Sequence, residues 1–111
     1  MTLDAIRAAW CRETSFWPQD WTPENPAHGQ CAVTALAVQD VVGGDIWRGR
    51  VEFVTHYWNH IPGADIDLTR EQFPESSQRF VDVPVHRDRL LADPDTLRRY
   101  QLLKSRIAEA A

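Results

Sequence analysis

The stretch "PAHGQCAVTALAVQDVVGG", Pro26 to Gly44, decides the fold. Gln30 to Val42 reads as one helix. Ala32, Ala35, Leu36 and Gln39 line one side of it, and Val33, Ala37, Val38, Val41 and Val42 line the others. A helix that is apolar nearly all round belongs in a core, so the rest of the chain must wrap it. Gly43-Gly44 ends it, since glycine takes the left-handed conformation a helix cap needs. Cys31 is the first apolar residue of this helix. It is either a small core side chain or a nucleophile held at a helix start.

Working outward, Thr2 to Glu13 reads as a first helix, with Leu3, Ile6 and Trp10 at helical spacing and Thr2 as the cap. Thr14 to Gly29 reads as a long loop rich in proline and aromatic residues, expected to pack down on the core. After the central helix, "DIWRGRVEFVTHYWNHI" is β-branched and aromatic. It reads as two strands, Asp45–Arg48 and Val51–Ile61, broken at Gly49. Pro62 to Asp65 is a turn and Asp65 to Thr69 a short returning strand. "REQFPESSQ" reads as a loop with at most one helical turn, and "RFVDVPVH" as an edge strand, because Pro84 cannot donate to a ladder on both sides. Pro94 to Glu109 is a final helix, capped by Asp93, with Leu97, Tyr100, Leu103 and Ile107 inward. Helices and an antiparallel meander are segregated along the chain. The class is therefore α+β: N-terminal helices, one of them buried and central, packed on a small antiparallel sheet, with a C-terminal helix.

At 111 residues the chain is read as a single domain, 1–111. The net charge of −4 argues against nucleic-acid or membrane-surface partners. The basic residues of the last helix, Arg98, Arg99, Lys104 and Arg106, read as a solvated face. The first residues do not resemble a secretory signal, and no apolar run is long enough to span a bilayer, so a cytoplasmic location is expected. In a reducing compartment Cys11 and Cys31 stay free, and neither belongs to a Cys-x-x-Cys pair. No cofactor is called for, and composition leaves the oligomeric state open.

Three residues follow one another in a chemically meaningful order. Cys31 starts the buried helix, His56 sits within "THYWN" on the next long strand, and an aspartate follows in "DIDLT". A thiol attacks a carbonyl carbon as thiolate, which a helix N-terminus favours. An imidazole accepts the proton, and a carboxylate holds the imidazole in the useful tautomer. On a strand His56, Trp58 and His60 share one face, and Tyr57 and Asn59 the other. Asp65 and Asp67 share a face, and both are within reach of the histidine. Equal residue sums across the turn put Asn59 and His60 near Asp67 and Leu68. A metal site is the rival chemistry, from Cys31, His56, His60 and Asp67. His56 and His60 lie about 13 Å apart on a regular strand, too far to share one ion, so no metal is assigned.

Two resemblances add to this. "WTPENPAHGQCAVTALAVQDVVGG", "HYWN", "IDLTREQF" and "RYQLL" together resemble the YunG-like family of small bacterial proteins, over most of the chain. That resemblance brings no chemistry with it. More distantly, a cysteine at a helix start, then His-x-Trp, then Asp-x-Thr is similar to papain-like and transglutaminase-like cysteine enzymes. This implies such a core, with Cys31 as nucleophile, His56 as base, Asp67 as the orienting acid through Asp67-Leu68-Thr69, and Trp58 packed beside them. Papain-like enzymes also place an amide donor before the cysteine, for which Gln30 and Asn25 are the candidates here.

Two functions of different class follow. One is a thiol-dependent hydrolase or acyl transferase acting on a peptide or a small amide or ester, with the aromatic loop (Trp17, Trp21) as one groove wall. The other is a non-catalytic binding module that uses the same tryptophans. A purely structural subunit is the third possibility, and it expects no opening from Cys31 to solvent.

Overall fold

A computed structural model gives the backbone of residues 2–111 and describes their side chains, apart from those of Val81 and Asp82. Four helices and a four-stranded antiparallel sheet make an α+β architecture. The first helix, α1 (Leu3–Ala9), starts where Thr2 accepts the Ala5 N–H at 3.1 Å. It stops well short of Glu13. The Thr14 hydroxyl takes the backbone N–H and carbonyl of Cys11, at 3.0 and 2.9 Å, and folds Arg12–Thr14 into a separate tight turn. This break turns Trp10 inward, where its indole N–H donates to Thr34 at 2.9 Å.

The second helix, α2 (Cys31–Val42), is the central one, and Ala32 to Val38 are all buried. Gly43 and Gly44 follow with φ of 71° and 74°. The strands are β1 (Asp45–Val51), β2 (Val54–Ile61), β3 (Ala64–Ile66) and β4 (Arg79–Val85). Their order across the sheet is β3-β2-β1-β4, so the expected simple meander is not formed. The chain after β3 crosses back to lay β4 along β1 as an edge, with Pro84 opposite Trp47.

The break between the first two strands falls at Glu52-Phe53, both with positive φ, and not at Gly49. Gly49 stays within β1, at an irregularity in its pairing with β4. Its role is space: a Cβ there would meet the Phe80 carbonyl oxygen and come within 2.7 Å of the Trp58 ring. The β2–β3 register also differs from equal sums around Asp67. His60 faces Asp65 and Asn59 faces Ile66, because Pro62-Gly63 makes a two-residue turn with Gly63 at φ 83°. The strand ends at Ile66 rather than Thr69, which releases Asp67 from the sheet.

A short helix, α3 (Arg87–Leu91), has no counterpart in the sequence reading. The last helix, α4 (Pro94–Ala110), is capped by Asp93, whose carboxylate accepts the Thr96 N–H at 3.0 Å. Its inner face is Thr96, Arg99, Tyr100, Leu103 and Ile107. Arg99 is thus no part of a solvated basic face; it is 1% exposed. The core lies between α2, the sheet and the α1–α4 pair, with Ile6, Val33, Leu36, Val38, Ile46 and Leu103 at its centre. Among the described residues no helix is long and apolar enough to cross a membrane.

Gly49→Ala is expected to destabilise the fold by about 2 kcal/mol, the usual scale of overpacking. Urea unfolding should show a lower midpoint. An unchanged midpoint would mean that the Trp58 ring is not confined at this point.

Candidate active site

Gly29 sets the entrance to α2. It takes φ 73°, and a Cβ there would strike the Ser15 hydroxyl and come within 2.9 Å of the Phe16 nitrogen. The Phe16 N–H donates to the Gly29 carbonyl at 2.8 Å. The aromatic loop is thereby pressed against the start of the helix. Gln30 then occupies the cap position, and no side chain caps the helix. The N–H groups of its first turn therefore keep their donor capacity beside Cys31.

Across from this helix start lies His56, with 0% side-chain exposure. Trp58 stacks on its imidazole at 5.8 Å and 22°, and Phe73 meets it edge-on at 5.1 Å. The segment that leaves β3 supplies three attachments here. Asp67, 10% exposed, accepts from His56 Nε2 at 2.8 Å. Phe73 closes the ring's other side. Gln72 accepts the Gly29 N–H at 3.2 Å, which ties the segment to the helix start. Asp65, the other aspartate of "DIDLT", instead accepts from His60 Nδ1 at 2.7 Å, as the strand register requires.

With Nε2 engaged by Asp67, Nδ1 is the nitrogen left for Cys31. Nδ1 is buried and has no hydrogen-bond partner among the described residues. Burial pulls the His56 pKa down, but the Asp67 hydrogen bond, then the nearness of Cys31 and the charges of both, outweigh it. The pKa is raised from 6.5 to about 9. His56 is therefore an imidazolium at neutral pH, placed between a carboxylate and a thiol. The Tyr57 phenol is also pushed up, by burial first and then by the charge of Cys31.

Cys31 is half-buried and opens into a cleft of about 540 Å³. Phe16 and Trp17 form one wall, Thr55 and Tyr57 the sheet side, and Leu90 and Arg99 the helical side. Phe53, fully exposed on its positive-φ turn, stands at the rim. A closed core around Cys31, as a purely structural subunit expects, is not what is found.

The remaining residues singled out by sequence fall elsewhere. Gln30 is fully buried and donates to the Cys11 carbonyl at 2.9 Å, so its amide anchors the start of the Arg12–Thr14 turn and does not line the cleft. Asn25 sits in the Thr22–Asn25 bridge, away from the cleft lining. Trp21 donates to the Pro26 carbonyl at 3.0 Å with Arg12 over its ring; it braces the loop and does not line the cleft. Trp58, at 2% exposure, supports His56 from behind and offers no surface to a substrate. Both cysteines are free thiols. Among the described residues no cluster of three histidine, cysteine or acidic side chains is arranged to hold a metal.

Arg99 is the residue that the sequence reading missed most clearly. It donates to Asp95 at 2.8 Å and to the Thr14 carbonyl at 3.2 Å, and lies over the Phe16 ring at 5.5 Å. A signal was present: 96, 99, 103 and 107 form one stripe at helical spacing.

A family model described as "YunG protein" matches residues 1–111. The chain belongs to the YunG family. The "Uncharacterized protein YunG" of Bacillus subtilis (strain 168) is 36% identical over 99 residues, which cover 89% of this chain and 82% of that protein. No solved structure matches it significantly, so this YunG-family fold gains no support for a papain-like or transglutaminase-like core from known structures.

The raised His56 pKa ties stability to pH. His56 contributes its full share below about pH 6.5, and that share is lost as pH rises through about 9. Loss of this proton linkage is on the order of 3 kcal/mol for a group this buried. Asp67→Asn removes the largest raising interaction. The His56 NMR titration should then move down toward 6.5, and unfolding free energy should fall less between pH 6.5 and 9 than in the parent chain. A titration that does not move in Asp67→Asn would contradict the assignment of Asp67 as the principal partner.

Proposed function

We propose that this YunG-family chain is a thiol-dependent hydrolase or acyl transferase, acting on a peptide or a small amide or ester. Cys31 is the nucleophile and His56 the proton carrier. Asp67 positions His56 and fixes its tautomer. The single observation that carries this reading is the division of the imidazole: Nε2 is bound to a largely buried carboxylate, and Nδ1 is unengaged on a ring that feels Cys31, a cysteine that opens into a cleft. A cysteine, a histidine and then a polar residue that orients the histidine is the order of papain-like and transglutaminase-like enzymes, and we extend the proposal to a core of that kind on this order alone.

The chemistry runs in two halves. The Cys31 sulfur, as thiolate beside the His56 imidazolium, bonds to the acyl carbon, and the carbonyl electron pair moves to oxygen. The uncapped N–H groups at the start of α2 face that position and stabilise the negative oxygen. The carbon–nitrogen or carbon–oxygen bond then breaks, with the leaving group taking the Nδ1 proton from His56. A thioester remains on Cys31. Water or an acceptor amine attacks it next, giving its proton to Nδ1, and the thiolate leaves. The apolar walls from Phe16, Trp17 and Leu90 suit an acyl group that is not highly charged at the reacting end.

Alkylation by iodoacetamide, mapped by mass spectrometry, tests the pair, and Cys11 serves as an internal control. Cys31 is expected to react at pH 6 at least about tenfold faster than Cys11, and His56→Ala to abolish the advantage. Equal rates for both cysteines, unchanged in His56→Ala, would sink the catalytic reading. A binding module would instead tolerate Cys31→Ser without loss of function and would depend on Trp17.

A further inference from the structure

We infer that Arg79 is a positioning residue of this site: lying over Trp58 and joined to both Asp65 and Asp67, it holds the carboxylate that holds His56. The inference rests on the reading of Cys31 and His56 as a working pair. It concerns a residue on β4, the far edge of the sheet from β3, that neither motif nor spacing connects to the cysteine.

Arg79 Nη2 donates to Asp65 at 2.5 Å and Nη1 donates to Asp67 at 3.4 Å. Its guanidinium carbon lies 4.1 Å from the Trp58 ring centre. The side chain is 23% exposed. Trp58 in turn stacks on His56, in space that Gly49 leaves open. One planar group thus touches the aromatic support under the imidazole and the carboxylate beside it. An arginine fork can do this and an ammonium cannot, since the fork presents separated donors and a flat face together.

The need for such a clamp follows from the strand. β3 ends at Ile66, so no ladder hydrogen bonds fix Asp67. Its Oδ2 is shared by His56 at 2.8 Å and Arg79 at 3.4 Å. Asp65, which also accepts from His60, anchors the other prong of the fork. The result is a chain of contacts, His60–Asp65–Arg79–Asp67–His56–Cys31, running from the surface to the cleft. Cys31 faces His56 from α2, Asp67 from the segment after β3, and Arg79 stands behind Asp67 from β4. Trp58 and Phe73 complete the surround without charge.

Two effects of Arg79 oppose each other, and their signs separate the explanations. As a charge alone, Arg79 competes for Asp67 and repels the imidazolium, so its removal raises the His56 pKa. As a positioning group, it keeps Asp67 aligned, so its removal weakens the Asp67–His56 bond and lowers that pKa. In Arg79→Gln and in Arg79→Lys, NMR titration of His56 should show a midpoint about one pH unit or more below its parent value, and Cys31 alkylation at pH 6 should slow about tenfold. Asp65→Asn, at an exposed position that does not threaten folding, should move both readouts the same way by less. A midpoint that stays or rises in the Arg79 variants would overturn the inference, as would full rescue by lysine. If His56→Ala slows alkylation but the Arg79 variants do not, this inference fails and the pair stands. If His56→Ala changes nothing, both fail together.

Discussion

Asn59, on β2, donates its side-chain amide to the Ala35 carbonyl in the middle of α2 at 2.9 Å, and Trp10 donates to Thr34 one residue earlier. Both bonds are buried, where an unmet donor would cost about 1–3 kcal/mol. They fix a helix whose apolar surface would otherwise permit sliding, because aliphatic packing alone is tolerant of small shifts. The axial position of α2 decides how far Cys31 protrudes toward His56. A shift of one residue would rotate the cysteine by about 100° and withdraw it from the cleft. The cysteine's chemistry is thus set first by a helix register and only then by its neighbours.

Around that fixed helix start the charges are arranged with little redundancy. The imidazole is dry, supported on two sides by aromatic rings, and gripped through one nitrogen. Burial alone would drive His56 to neutrality. The carboxylate and the thiol reverse that outcome, so the histidine holds its proton against a desolvation that opposes it. The cleft side is different. It is largely apolar, and its open floor carries Cys31 and Ala32 with the uncapped helix amides. A proton carrier hidden behind a thiol, and a thiol open to a greasy groove, divide acid–base work from substrate contact.

Much of this was legible in the sequence because it follows from period and composition. The all-round apolar pattern of Val33 to Val38 is reason enough for a buried helix, and the Gly43-Gly44 pair and Asp93 mark helix ends by plain stereochemistry. What escaped depends on contacts distant in sequence. Gly49 looks like a strand break until the Trp58 ring is known to need its space. The aspartate choice turned on a register that a two-residue turn sets, and Asp67 reaches His56 because its strand is short. Arg99 read as part of a solvated face, and nothing in the sequence singled out Arg79; their contacts come from Thr14, Phe16 and Trp58, which nothing local announces. Gln30, attractive because it precedes the cysteine, is occupied by a carbonyl 19 residues earlier in the chain.

The contact of Arg99 with Thr14 and Phe16, and that of Arg106 with the Ala9 carbonyl, join α4 to α1 and the segment after it. Bonds between residues this far apart in sequence carry the entropic cost of closing a long loop. On the ribosome the cysteine, histidine and aspartate all emerge before α4 exists. The aromatic wall is held to the start of α2 by the Phe16–Gly29 bond, but it lacks its Arg99 support until that helix has been made and has docked. A nascent thiol therefore lies in an incomplete groove, and a helix synthesised after all three residues completes it.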